Sequence, residues 1–291
     1  MKALVFGASG TIGRPLVNEL AQTHNVVAIS RSQQPGGIDV EWKMADATDR
    51  DSVARVLDGV EVVYYLVHSL GSPDFEERDA KAAETTAREA QRAGVKQIIY
   101  LGGLGDNAPD LSPHLRSRHE TGLRLASTSV PLTTLRAAIV VGAGSAAFET
   151  VVALVDRLPV MVAPRWVSSR TQPIALRDVV AYLAGVCGVE RTFGVDYDIG
   201  GLEMMTYREM IERIARVRGK RPLIVEVPVL TPYLSSLWLH LVTPVNAGVA
   251  RPLVEGLRND TVVRDDRIRD VLPIELTSFE SAALLAFEEI E

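Results

Sequence analysis

The chain opens with a short apolar run, Lys2–Phe6, that stops at Gly7-Ala8-Ser9-Gly10-Thr11-Ile12-Gly13. A buried strand, a glycine-rich turn and then an amphipathic stretch over residues 12–22 can be built in few ways. A strand-to-helix turn offers free backbone N–H groups at a helix N-terminus, which attract a phosphate when no side chain blocks it. Each glycine then has its own task. Gly7 allows the tight turn, Gly10 lets the backbone approach a pyrophosphate, and Gly13 lets the helix lie close on the sheet. Ser9, Thr11 and Ile12 complete the expected cofactor-binding turn.

The rest of the first half keeps the same rhythm. Strands are expected at Asn25–Ser30, 40–44, 61–67 and 97–101, alternating with helices at 49–57, opened by an Asp49 cap, and 75–93, closed by Gly94. A helix over 112–127 and a strand over 132–141 follow. Strands and helices alternating at this spacing predict an α/β fold, a Rossmann-type doubly wound parallel sheet covered on both faces. After about residue 145 the texture changes, with helices at 148–158, 177–185 and 206–217 and extended pieces broken by Pro159, Pro164 and Pro173. We therefore expect a nucleotide-binding domain over 1–145. A mixed C-terminal substrate lobe over 146–291 would pack on it, with some segments returning to the sheet.

Composition narrows the partners. The net charge of −6, from 31 basic and 37 acidic residues, argues against nucleic acid. One cysteine, Cys187, in an apolar stretch, predicts a buried small hydrophobe, no disulfide and a reducing compartment. No His/Cys cluster suggests a metal. Four apolar residues before Gly7 are too few for an export signal, so the cytoplasm is the expected location. Residues 227–250 carry no Asp, Glu, Lys or Arg, but their prolines and polar residues argue against a membrane span. A helix buried on the substrate side is the expectation there.

The end of the second strand chooses the cofactor. An acid would grip the ribose 2′-hydroxyl of NAD, whereas Ala28-Ile29-Ser30-Arg31-Ser32 has none and places Arg31 where a 2′-phosphate would sit. NADP(H) is therefore preferred over NAD(H). Asp46 and Ala47, after the third strand, are expected near the adenine, with a cap or turn role for Asp46 as the alternative.

Residues 7–13, Arg31, Asp46 and Leu101-Gly102-Gly103 together resemble the atypical short-chain dehydrogenase/reductases. Tyr65-Leu66-Val67-His68-Ser69, Ser112-Pro113-His114-Leu115-Arg116-Ser117-Arg118 and the tail at 251–257 look like its NAD(P)H-binding branch. That branch lies near the NmrA-like proteins and is similar to the nucleotide-binding accessory subunit of respiratory complex I. Active members of the superfamily carry Tyr-x-x-x-Lys on the helix after the fifth strand. The matching positions here are His114 and Arg118, which the helical spacing puts on one face, and the usual Ser/Thr is replaced by Gly102 and Gly103.

The resemblance thus implies His114 as proton donor and Arg118 as a ribose ligand. An imidazole titrating near about 6.5 suits the first role, and a neighbouring Arg118 would depress it. Val67, His68 and Ser69 are expected at the nicotinamide or substrate side. Asp178 reads as a helix cap and Arg136 as half of an ion pair. The expected function is NADP(H)-dependent oxidoreduction of a small, apolar carbonyl or quinone-like substrate by a monomer or homodimer. The altered catalytic pair leaves a second reading open, a non-catalytic NADP(H)-sensing or accessory binding protein.

Overall fold

The computed structural model describes residues 1–34, 40–69, 71–72, 74–105, 112–227 and 259–290, with the side chains of 164–166 left aside. The charge-free stretch beyond Val227, the tail at 251–257 and the Trp166 side chain lie outside the described residues.

Seven strands make one parallel sheet: β1 (Lys2–Phe6), β2 (Asn25–Ser30), β3 (Glu41–Met44), β4 (Val62–Tyr65), β5 (Gln97–Gly103), β6 (Leu132–Ala137) and β11 (Asp196–Ile199). Their spatial order is β11-β6-β5-β4-β1-β2-β3. The order reverses beside β1, and the open crevice at such a switch point, at the strands' C-terminal ends, is where ligands bind in folds of this kind.

Both faces are covered, which is why the strands read as apolar runs and do not alternate. Ala3 and Val5 of β1 face α1 (Gly13–Ala21) and α6 (Leu176–Gly185), whose Leu16, Val17, Leu20, Val179 and Leu183 complete one core. Leu4 and Phe6 point the other way, into a core closed by α2 (Arg50–Val56), α3 (Phe75–Arg92) and α4 (Pro113–Leu125). The Asp49 side chain caps α2 through the N–H groups of Asp51 and Ser52, as its position implied.

Among the boundaries that differ from the sequence expectation, two shape the cleft. β5 runs on to Gly103, because Gly102 and Gly103 still pair with Arg136 and Ala137. The strand expected over 132–141 divides at Ala137. Its last part, β7 (Val140–Val141), leaves the sheet to pair with β10 (Ile174–Ala175). That departure begins a third core, built by α5 (Ala146–Arg157), α7 (Tyr207–Val217) and α9 (Phe279–Ile290) around Phe148, Ile214 and Ala283. α7 opens with a capping box, the Thr206 hydroxyl accepting from Glu209 N–H while the Glu209 carboxylate receives the Thr206 N–H. Two ribbons complete the lobe, β8 (Val160–Pro164) with β13 (Leu223–Val227), and β9 (Arg170–Thr171) with β12 (Met205–Thr206).

Arg136 pairs with buried Asp198 at 2.8 Å, and Asp198 also accepts the N–H groups of Arg264 and Asp265. One carboxylate thus joins the sheet end to the returning chain. Asp178 is not a helix cap. Ala175 occupies that position, and the buried Asp178 carboxylate accepts the N–H and hydroxyl of Thr277 instead, holding the chain that leads into α9.

Candidate functional site

The turn after β1 is shaped by what its glycines lack. Gly7 has φ +82°, and a Cβ there would stand 2.8 Å from the Leu66 carbonyl oxygen. At Gly13 a Cβ would lie 2.2 Å from the Gly7 carbonyl oxygen, so only glycine lets α1 start this close to the strand. Gly10 is different. It is exposed, and the nearest atom to a Cβ would be the Gly7 oxygen, at 3.3 Å. Packing there demands a glycine far less than at Gly13, but close approach of a dinucleotide would.

Ile12 sits at the N-cap of α1 with no side-chain cap, and no acid occupies the first turn. The first-turn N–H groups therefore receive no capping side chain, and the positive end of the helix dipole is left uncancelled. These features fit a dinucleotide pyrophosphate. The Thr11 hydroxyl is committed elsewhere, donating to the Gly144 carbonyl at 2.7 Å, which leaves Thr11 its backbone for the cradle.

A polar group gathers at the end of β2. Arg14, one residue past Gly13, donates from Nε to the Ser9 carbonyl at 3.2 Å and from Nη2 to Gln34 Oε1 at 2.9 Å. The Gln34 amide reaches the hydroxyls of Ser30 and Ser32, and Ser30 lies 3.4 Å from the Ser9 hydroxyl. Arg31 is exposed beside them. Asp46 folds back on itself, accepting the N–H and hydroxyl of Thr48 at 2.8 Å each, which is the turn alternative. Thr48's N–H holds the Asp46 carboxyl below its usual range; the Thr48 hydroxyl and the charges of Arg78 and Arg31 act the same way against burial. Ala47 is packed into the core beneath β3, so only its backbone can meet a cofactor.

From the glycine turn a cleft of ≈ 570 Å³ runs toward the C-terminal lobe. Gly7, Gly10, Thr11, Ile12, Gly13, His68, His114 and Arg118 all line it, so one space runs from the glycine turn to His114 and Arg118. Ser9, Arg31, Asp46, Ala47 and Val67 are not among its lining residues; the first four flank the ends of β2 and β3, and Val67 packs against the core under α3. Leu66, Leu104, Ile139, Val140, Ala146 and Ala147 make the walls largely apolar.

The polar part of the wall is organised by a residue the sequence reading passed over. His68 Nδ1 lies 2.7 Å from Asp79 Oδ2, and His68 Nε2 lies 3.2 Å from His114 Nδ1. Asp79 also accepts the Ser69 N–H at 2.9 Å and faces the Ser117 hydroxyl at 3.4 Å. Burial works to raise the Asp79 carboxyl, but the hydrogen bond and charge of His68 and the donors on Ser69 outweigh it and hold it low.

Burial lowers His68 despite Asp79, and Arg118 adds to the fall. Burial, then the charges of His68 and Arg118, push His114 down to about 3. Both shifts favour the uncharged ring at neutral pH. The Arg118 guanidinium donates to the Leu101 carbonyl and lies 4.9 Å over the Tyr100 ring, which fixes it at the end of β5.

Two of these functional candidates, Arg14 and Asp79, were absent from the sequence reading. Arg14 had a local signal, a cation directly after the last glycine of the turn. Asp79 had none, being one acid in a helix rich in charge, and only packing of α3 on α4 makes it 1% exposed. Cys187 is half-buried next to Tyr64, and burial pushes its thiol up. Among the described residues no group of His, Cys, Asp and Glu is placed to hold a metal, and no helix is long and apolar enough to cross a membrane.

Residues 7–128 match the NAD(P)H-binding family. The chain is 30% identical over 231 residues to a (4-alkanoyl-5-oxo-2,5-dihydrofuran-3-yl)methyl phosphate reductase of Streptomyces griseus subsp. griseus, covering 76% of this chain and 74% of that protein. It is 21% identical over 313 residues to the mitochondrial NADH dehydrogenase [ubiquinone] 1 alpha subcomplex subunit 9 of Arabidopsis thaliana, covering 99% and 78%. The Citrobacter sp. triphenylmethane reductase complexed with NADP(H) superposes with a TM-score of 0.75 at 18% identity, covering 98% of this chain and 100% of that one, a likeness of fold. With the glycine cradle and the sheet order in place, the chain belongs to the NAD(P)H-binding family of atypical short-chain dehydrogenase/reductases.

Proposed function

We propose that this protein is an NADP(H)-dependent oxidoreductase acting on a small, apolar carbonyl or quinone-like substrate. The observation that carries the reading is the continuity of one cleft from the glycine cradle to His114 and Arg118. A bound nicotinamide supplies or accepts a hydride, and the protein's part is to hold, orient and manage the proton. Gly7, Gly10 and Gly13 with the first turn of α1 would take the pyrophosphate.

Arg14 and Arg31, with the hydroxyls of Ser30 and Ser32, would take a 2′-phosphate, since guanidinium groups pair well with phosphate oxygens and no acid at the end of β2 repels them. Arg118 keeps further N–H donors for ribose hydroxyls and cannot lose its proton. The aliphatic walls would exclude water and favour an apolar substrate. In this reading residues 1–145 hold the nucleotide, much of 146–291 covers the substrate, and a monomer or homodimer works in a reducing cytoplasm.

Titration of NADPH and NADH against the wild type, Arg14→Ala and Arg31→Ala tests the cofactor assignment. Each variant should weaken NADPH by roughly 10-fold or more while leaving NADH nearly unmoved. Equal losses for both nucleotides would remove the 2′-phosphate assignment.

The second reading, a nucleotide-binding sensor or accessory protein without turnover, draws on Arg118. Its guanidinium is already committed to the Leu101 carbonyl and the Tyr100 ring. NADPH oxidation with any member of a carbonyl and quinone panel decides against the sensor. Tight binding with no turnover decides for it.

A further inference from the structure

Asp79, His68 and His114 come from three elements, α3, the segment after β4 and α4, and with both rings neutral their hydrogen bonds leave one consistent arrangement of protons. The Asp79 carboxylate, 1% exposed, receives the Ser69 N–H on Oδ1 and faces His68 and Ser117 on Oδ2. An ionised carboxylate only accepts, so His68 carries its proton on Nδ1. In the neutral ring Nε2 is then a lone pair. The 3.2 Å contact to His114 is a hydrogen bond only when His114 Nδ1–H donates into it. That leaves His114 Nε2 bare, on a ring that lines the cleft, with no protein partner among the described residues.

We propose that Asp79, His68 and His114 are a proton relay whose resting state is a base, which takes the hydroxyl proton of an alcohol as that substrate is oxidised. The inference rests on the oxidoreductase reading and gives its site a direction at neutral pH. It makes His114 a proton acceptor in its resting tautomer, where the superfamily pattern implied a donor. For an alcohol, the hydroxyl proton goes to His114 Nε2 and the Nδ1 proton of His114 moves to His68 Nε2. The C–H electron pair leaves as hydride to NADP⁺, so alcohol and NADP⁺ become carbonyl, NADPH and one proton held on His68.

That charge comes to rest beside Asp79, which stabilises an imidazolium as the acid of a Ser-His-Asp triad does, with one more ring interposed. Carbonyl reduction runs the same path backwards and needs the relay loaded with a proton first. The groups facing the two rings agree with this resting state. Arg118 and Ser117 face them from α4. Asp79 and the edge-on ring of Phe75 face them from α3. Tyr65 on β4, whose buried hydroxyl stays protonated, faces Asp79 and Arg118, with Tyr100 of β5 beside it. Asp79 and His68 are positioning and relay groups, and His114 is the one residue of the three that meets substrate.

The decisive experiment follows both directions, with NADP⁺ and a panel of secondary alcohols and with NADPH and the corresponding ketones, from about pH 5 to about pH 9. Oxidation should be level on the alkaline side and fall in acid as the relay fills, and reduction should fall as pH rises. Asp79→Asn and His68→Gln should each lower kcat by roughly 100-fold or more, with NADPH affinity in Asp79→Asn within about 2-fold of wild type. A proton inventory should show more than one proton in motion for the wild type and one for His68→Gln.

Unchanged kcat and pH profile in both variants would overturn the relay and leave the oxidoreductase standing. No turnover with any substrate, at intact nucleotide affinity, would remove both. Imidazole ¹⁵N NMR of the wild type reads the tautomers without any variant. His114 protonated on Nδ1 at neutral pH is expected, and an Nε2-protonated His114 would overturn the proposal.

Discussion

The two ends of the cleft are made from different materials. The glycine end is backbone, seven consecutive residues whose glycines remove side chains and which lead into a helix start with no capping side chain. The far end is side chain, with His68 meeting Asp79 from 11 residues away and His114 from 46. A backbone cradle depends on a few dihedral angles and survives wide changes around it. A side-chain relay depends on how α3 and α4 pack, and can be replaced without disturbing the fold. The family resemblance is correspondingly strong at the first end and altered at the second.

A matched pair of substitutions separates two roles for glycine within the cradle. Gly13→Ala should give the largest effect. Its Cβ would stand 2.2 Å from a backbone oxygen with nothing flexible to yield, so a loss of about 3 kcal/mol or more is expected in denaturant unfolding. An unchanged midpoint would mean that α1 does not pack as described. Gly10→Ala should leave stability within about 0.5 kcal/mol, because its Cβ meets one atom at 3.3 Å, yet weaken NADPH by roughly 10-fold. Full affinity in that variant would remove the close approach of the pyrophosphate.

A third test concerns the other end. Below its ordinary 6.5 the His114 ring takes a proton in the unfolded chain that the folded chain refuses until about pH 3. Stability should therefore fall as pH drops through that window, and His114→Gln should flatten the fall in thermal unfolding. An equally steep fall in the variant would show that His114 is not held neutral.

Much of this was legible in the sequence, for identifiable reasons. The strand and glycine turn, the βα rhythm and the Asp49 cap each rest on residues close in sequence or on a strong local preference. The missed features rest on contacts between distant elements. Asp178 was read as a cap because its position suits one, but its partner is Thr277, 99 residues on. The strand over 132–141 was read as continuous because its apolar run is, and only pairing with β10 shows where it leaves the sheet. Asp79 looked like any exposed helix acid until α4 covered it.

By itself, then, the sequence determined the nucleotide cradle, the parallel sheet and the basic, acid-free end of β2, because each is specified by short-range sterics and hydrogen bonding. The tertiary structure decided which side chains meet at the far end of the cleft and which proton each of them carries. A tautomer is set by the partner across a 3.2 Å gap, and that partner is chosen by packing, which no spacing of residues along the chain encodes.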